Sequence, residues 1–377
     1  MIFNACNSRD TTLQTGADQL DKYLPLLEGR NIAIVANQTT EVDGTHLVDT
    51  LIAISEGRYS IRTVFAPEHG FRGMIDDGVA VKDETDAKTG LPIISLYGKN
   101  KKPGSEMLEG IDLIIFDIQD VGVRFYTFIS TMHYVMEACA EKRIPLLVLD
   151  RPNPNGNYID GPILEPGFRS FVGMHPIPIV HGLTIGELAR MINGEGWLET
   201  EEQCELIVIP CANYKHSLDY SLPVKPSPNL PNDHAIKMYP STCFFEGTVI
   251  SEGRGTYNPF EVYGHPDLAG SYSFIPKSIE GMEMNPKFKG TLCYGEDLRE
   301  FNPEGGWQKL ELRWLIDAYS KFPDKDNFFK PFFEKLAGTE SLRNQIIQGW
   351  TEEEIRKSWE PGLTEYRNTR EKYLLYK

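Results

Sequence analysis

Ile61-Arg62-Thr63-Val64-Phe65-Ala66-Pro67-Glu68-His69-Gly70-Phe71-Arg72-Gly73 is the stretch that decides how the chain is read. Ile61 to Ala66 is apolar and largely β-branched or aromatic, a buried-strand pattern, and Pro67, with no N–H for a sheet ladder, stops it. A carboxylate, an imidazole and a guanidinium follow at once, spaced by Gly70 and Gly73. In a parallel α/β sheet the loop leaving the carboxyl end of a strand is where ligands bind, and glycines there permit tight turns or close approach. Alone, Glu-His-x-x-Arg is equally a polar turn whose Glu and Arg pair with each other. The rest of the chain decides between the two.

Working outward, Asn31 to Ala36 is another buried-strand run, followed by Asn37-Gln38-Thr39-Thr40, where a dinucleotide-binding fold would carry G-x-G-x-x-G and this chain does not. His46 to Ser55 repeats apolar residues at helical spacing (Leu47, Leu51, Ile52, Ile54). Strand runs recur at Pro92 to Leu96, Ile111 to Ile118, Pro145 to Leu149, Pro176 to Val180 and Glu205 to Ile209. Between them, Thr127 to Lys142 predicts a helix with Phe128, Met132, Val135, Met136 and Cys139 on one face, and Thr184 to Asn193 another, opened by a Thr184/Glu187 capping box. This alternation predicts an α/β fold, a doubly wound, mostly parallel sheet with right-handed crossovers. Asn37, Glu68, Asp117 with Asp120, and Asp150 with Arg151 all fall at carboxyl ends of these strands. A ligand crevice along that edge follows.

At 377 residues two domains are expected. Residues 1–18 read as a flexible leader, 19–238 as the doubly wound domain and 239–377 as a smaller α+β domain. Pro223 to Asn232, with four prolines and Asn229-Leu230-Pro231-Asn232, reads as a structured linker. Beyond it, residues 260–305 are rich in Gly, Pro and aromatics, and helical patterns lie near 309–320, 339–348 and 352–376. The acidic stretch 74–90, with Asp76, Asp77, Asp83, Glu84 and Asp86, is either a mobile lid or a solvated loop.

A composition of 41% hydrophobic and 24% charged residues is that of a soluble globular protein. The net charge of −16 argues against a general binder of nucleic acid or anionic membranes, and no apolar run approaches the ~20 residues of a membrane span. The cysteines at 6, 139, 204, 211, 243 and 293 show neither C-x-x-C nor a zinc-ligand spacing. Cys139 and Cys243 read as small core residues. Met1-Ile2-Phe3-Asn4-Ala5-Cys6-Asn7-Ser8 looks like the tail of a bacterial lipoprotein signal without its basic start, making Cys6 a candidate lipid anchor beside the alternative of an ordinary short leader.

Two hydrolytic chemistries suit carboxylate-bearing loops. Metal assistance would draw on Glu68, His69, Asp117, Asp120 and His181, although among these no H-x-H, H-E-x-x-H or D-x-D sets two ligands together. Paired carboxylates need no metal: one, raised in pKa by an apolar setting, acts as general acid, and the other stays ionised. Glu68, between an apolar strand and Phe71, suits the first role; Glu252, in a Gly-rich loop beside Arg254, suits the second. Serine chemistry lacks G-x-S-x-G and S-x-x-K, and no phosphate loop occurs.

Phe65–Gly73, Phe116-Asp117-Ile118-Gln119-Asp120-Val121-Gly122-Val123-Arg124-Phe125-Tyr126-Thr127, Leu149-Asp150-Arg151-Pro152-Asn153-Pro154 and Ser251-Glu252-Gly253-Arg254-Gly255-Thr256 together resemble the NamZ-type exo-β-N-acetylmuramidases, from about residue 20 to the C-terminus. The resemblance implies a Rossmann-like N-terminal domain, a smaller C-terminal domain and an active site in the cleft between them. It implies release of N-acetylmuramic acid from the non-reducing ends of peptidoglycan-derived muramyl glycans, with no cofactor and no metal. It also implies an envelope or periplasmic location, in keeping with the Cys6 reading. The family's proposed acid carries over to Glu68; Glu252 as its partner rests on the residues alone.

Substrate contacts are expected from His69, Arg72, Asp117, Asp120, Arg124, Tyr126, Asn229, Asn232, Arg254 and Thr256. Muramic acid carries a lactyl carboxylate, which the planar fork of an arginine matches, so Arg72 or Arg254 is expected to read it and Arg124 to be structural. Plainer roles stand beside these. Asp117 and Asp120 are also helix caps or acceptors of backbone amides, and Arg124 is a possible partner of Asp120. Asp150 and Arg151 suit a loop-holding ion pair, His181 a core histidine, and Asn229 and Asn232 turns. A non-catalytic envelope sugar-binding protein, built as two α/β domains around a cleft, is the rival reading.

Overall fold

The computed structural model describes residues 12–73 and 83–376. Cys6, Asp76 and Asp77 lie outside them. In chain order the elements are α1 (Leu20–Leu27), β1 (Asn31–Ala36), a small hairpin of β2 (Glu41–Val42) and β3 (Thr45–His46), α2 (Leu47–Ile54), β4 (Ser60–Ala66), β5 (Glu84–Thr85) and β6 (Pro92–Ser95). Then come β7 (Leu113–Asp117), α3 (Phe128–Lys142), β8 (Leu146–Leu149), α4 (Ile185–Gly194), β9 (Leu206–Ile209) and α5 (Asp233–Thr242). The chain closes with β10 (Val262–His265), β11 (Tyr272–Phe274), β12 (Cys293–Asp297), α6 (Arg313–Lys321), α7 (Phe333–Ala337), α8 (Ser341–Ile347) and α9 (Glu352–Glu371).

The main sheet runs β5-β6-β4-β1-β7-β8-β9, parallel throughout except for the β5 edge. Numbered by chain order, its parallel strands read 3-2-1-4-5-6, the doubly wound Rossmann-like order with its switch point between β1 and β7. Side chains alternate across β1: Ile32, Ile34 and Ala36 pack under α1 and α2, whereas Ala33 and Val35 face the layer of α3 and α4. The smaller domain holds an antiparallel sheet, β10-β12-β11. Its apolar residues, Phe244, Phe260, Leu315 and Phe333 among them, share one continuous core with α3 and α4.

The expected strand at Pro176 to Val180 is a correction. Pro176 and Pro178 lack the N–H groups a ladder needs, and Val180 makes only isolated bridges, to Val123 and Asp160. α5 spans residue 239, so the chain passes the expected domain boundary inside a helix. Residues 14–18 do not behave as a free leader. Gln14 pairs with Ala212, and Gly16 N donates to Asp150 O at 2.7 Å where a Cβ would sit 2.4 Å from Ile209 O. The end of the chain is equally bound in: Tyr366 Oη donates to His181 O at 2.7 Å, and Tyr376 Oη to the Asp150 carboxylate. Among the described residues no helix is long and apolar enough to cross a membrane.

Candidate active site

Two loops meet at the carboxyl edge of the sheet beneath the second domain. After β4, Pro67 O accepts from Gly70 N at 3.1 Å, and His69 sits at φ +71°, a left-handed conformation uncommon for a residue with a Cβ. That turn sends Glu68 and His69 into one cavity of about 240 Å³. After β7, the loop ends in Thr127, the residue preceding α3, whose Oγ1 donates to Glu68 Oε2 at 2.7 Å.

The walls are aromatic: Tyr97, Phe125, Tyr126, Phe171, Tyr239 and Phe260. Tyr126 Oη donates to Pro226 O at 2.8 Å, tying this wall to the proline-rich segment. The second domain contributes Glu246 and Arg254, joined by an Arg254 Nη2 to Glu246 Oε1 bond of 2.7 Å, with the guanidinium 5.2 Å from the Phe260 ring centroid. Glu246 escaped the sequence reading. Its only signal is a lone carboxylate inside the apolar run Phe244 to Ile250.

Several expected positions fall elsewhere. Glu252 is buried behind Arg254, outside the cavity lining; its Oε2 takes Lys287 Nζ at 3.0 Å and its Oε1 lies 3.4 Å from Arg254 Nε. Lys287 also bonds the carbonyls of Phe245 and Ile250, so Glu252 neutralises a cation that staples this loop. Arg72 does not face the cavity. Its guanidinium is held by Asp86 (2.9 and 2.7 Å) and Asp49 (3.3 and 3.2 Å), so Asp86 belongs to an anchor rather than to a solvated loop. Phe71 likewise turns from Glu68 to pack edge-on against His46.

Arg124 is wholly buried and donates to four carbonyls, of Pro162, Ile177, Leu336 and Ala337, at 2.7–3.0 Å. Its partners are backbone carbonyls and not Asp120; burial lowers its pKa to about 9. Asp117 pairs with Arg151 (2.5 and 2.9 Å), both buried, replacing the expected Asp150–Arg151 pair. Asp120 accepts from Gly122 N at 2.6 Å with His181 3.6 Å away, and is buried. Asn232 is the N-cap of α5, accepting from Ala235 N, and Asn229 bonds Met282 O at 3.1 Å. Thr256 Oγ1 bonds Gly253 O at 2.7 Å and closes a turn. None of these six lines the cavity; His69, Tyr126 and Arg254 do.

At the switch point of the sheet the loops after β1 and β7 are tied to each other. Between β1 and β7, Thr40 bonds Asp117 O and Gln119 N donates to Thr39 Oγ1 at 3.0 Å. Among the described residues no three His, Cys, Asp or Glu side chains converge as a metal site.

One cavity thus holds a Glu bonded by the residue before a helix, a second carboxylate paired with Arg, and aromatic walls. Residues 32–234 match the family described as exo-beta-N-acetylmuramidase NamZ, N-terminal, and residues 237–376 its C-terminal counterpart; the chain belongs to this family of glycoside hydrolases. It is 40% identical, over 97% of its length and 91% of the relative's, to the peptidoglycan beta-N-acetylmuramidase NamZ of Bacillus subtilis (strain 168). Two crystal structures of DUF1343-family proteins from Bacteroides fragilis NCTC 9343 superpose with TM-scores of 0.90 and 0.80, at 46% and 29% identity. Each covers 97% of this chain and 99% of the other.

Proposed function

We propose that this protein is an exo-β-N-acetylmuramidase that releases N-acetylmuramic acid from the non-reducing ends of peptidoglycan fragments. The observation that carries the reading is the presence of Glu68 and Glu246 in one aromatic-walled cavity with Arg254. Its about 240 Å³ is below the ~300 Å³ at which most ligand pockets begin, which suits one terminal sugar rather than a threaded strand. Glu68, steadied by Thr127, protonates the glycosidic oxygen as the bond to C1 breaks. Glu246 supports the attack of water on C1, directly or through a covalent intermediate, and replaces Glu252 in that role. In direct attack the water's hydroxyl ends on C1, its proton passes to Glu246 and Glu68 is reprotonated from solvent; in the covalent route the hydroxyl displaces the Glu246 carboxylate from C1 and the water's proton restores Glu68. Tyr126 and the other rings hold the apolar face of the sugar. Arg254 meets the lactyl carboxylate with its fork, shared with Glu246.

The reading extends to action at the bacterial envelope, with Cys6 as lipid acceptor. Incorporation of labelled fatty acid that Cys6→Ser abolishes would support that location, and its absence in the parent would remove it. The hydrolase reading is tested with a defined muramyl-glucosamine disaccharide. Release of free muramic acid supports it, and tight binding without turnover would favour the sugar-binding alternative.

A further inference from the structure

A sugar seated in the cavity beside Glu68 must leave the rest of its glycan outside, and two further cavities adjoin this one. One, about 330 Å³, shares His69 and is rimmed by Arg72, Glu84 and Asp86, charges already committed to one another or to the edge strand. The other, about 600 Å³, shares Ser227 and is lined by Gln38 and Gly73 from the sheet edge, Lys225 and Pro228 from the proline-rich segment, and Tyr257 and Met282 from the second domain. Lys225 is its one charged lining residue among those described.

Tyr257 is 77% exposed, the most exposed of the large apolar side chains described. Its loop is not loose. Thr256 Oγ1 holds Gly253 O, Asn258 N donates to Thr256 Oγ1 at 3.0 Å, and Lys277 N to Gly255 O at 2.8 Å. Gly255 lies at φ +81°, where a Cβ would come 2.5 Å from Pro286 Cγ, so the turn that presents Arg254 to one cavity presents Tyr257 to the other. The shared wall is rigid as well: Gln38 Nε2 bonds the carbonyls of Lys225 and Pro226, and Tyr126 Oη the latter from the far side. A ring carried on this hydrogen-bonded turn and standing in water beside a mostly uncharged cavity is a platform for the apolar face of a neutral pyranose.

We infer that this second cavity receives the sugar on the reducing side of the scissile bond, stacked on Tyr257, while Lys225 faces the carboxylates of the residue beyond it. The inference rests on the hydrolase reading above. Hydrolysis of a muramyl-glucosamine disaccharide is compared with that of the β-fluoride of N-acetylmuramic acid, whose leaving group is too small to reach Tyr257. Tyr257→Ala is expected to lower the ratio of the two kcat/KM values, disaccharide over fluoride, at least tenfold, mainly through KM. Tyr257→Phe, which keeps the ring, should hold the ratio within about twofold. A ratio unchanged in Tyr257→Ala overturns the subsite while leaving the hydrolase intact. Parent protein that turns over neither compound overturns the hydrolase and the subsite together.

Discussion

Thr127 Oγ1 donates a 2.7 Å hydrogen bond to Glu68 Oε2, joining the loop after β4 to the start of α3. The bond fixes one carboxylate oxygen and leaves the other to the cavity. Glu68→Gln keeps size and shape, so the fold should be unaffected, with a melting temperature within a few degrees of the parent. Turnover of the disaccharide should drop at least ~10²-fold, the scale of a lost general acid. A rate within a few-fold of the parent would show that Glu68 does not transfer the proton.

Glu246 and Glu252 are separated by one experiment. Glu246→Gln, altering a group in the cavity, should cut kcat by ~10²-fold or more at little cost in stability. Glu252→Gln leaves Lys287 without its carboxylate inside a loop, and should lower the melting temperature more than it lowers kcat per folded molecule. The opposite pattern would return the catalytic role to Glu252.

Of the three arginines, Arg254 alone lines the cavity. Arg254→Ala should weaken binding of muramic acid by ~2–5 kcal/mol and of N-acetylglucosamine by much less. Arg72→Ala should change both equally. Equal losses on the two sugars in Arg254→Ala, measured by titration calorimetry, would mean that the carboxylate is read by some other group.

Arg124 ties residues 162 and 177 to residues 336 and 337 through four carbonyls, and Gly338 admits it because a Cβ there would lie 2.6 Å from its Nη2. Arg124→Ala strands those acceptors in the core, and about 3–5 kcal/mol of stability should be lost in denaturant titrations. A loss below about 1 kcal/mol would mean that water replaces the guanidinium at little cost.

Asp150 gives a pH signature. Burial raises its pKa to about 6, only partly opposed by the Tyr376 hydroxyl and the Gly186 N–H that bond it. The folded state therefore holds this proton to higher pH than the unfolded chain. Its contribution to stability is complete below about 4 and declines as pH rises through about 6, by on the order of 3 kcal/mol. Subtracting the Asp150→Asn stability curve from the parent's should leave a difference that falls over that interval. A difference that rises there would give the shift the opposite sign.

The succession of strands and helices was legible from the chain alone because apolar periodicity and Pro or Gly stops act over a few residues. Glu68 was legible for the same reason: it follows Pro67 directly at a strand end. The Thr184/Glu187 capping box, three residues apart, forms as read. What the chain could not show was which distant group each charge would meet. Arg72, Arg124 and Arg254 all sit in Gly- or aromatic-flanked motifs, yet one pairs with Asp49 and Asp86, one takes four carbonyls and one enters the cavity. A buried charge must find its partners in space, and tertiary packing supplies them: inside the first domain for Arg72, inside the second for Arg254, and from both for Arg124. The folding of the second domain brought Glu246 beside Arg254 in the cavity and left Glu252 behind it, a choice that the local sequence from Glu246 to Arg254 does not encode.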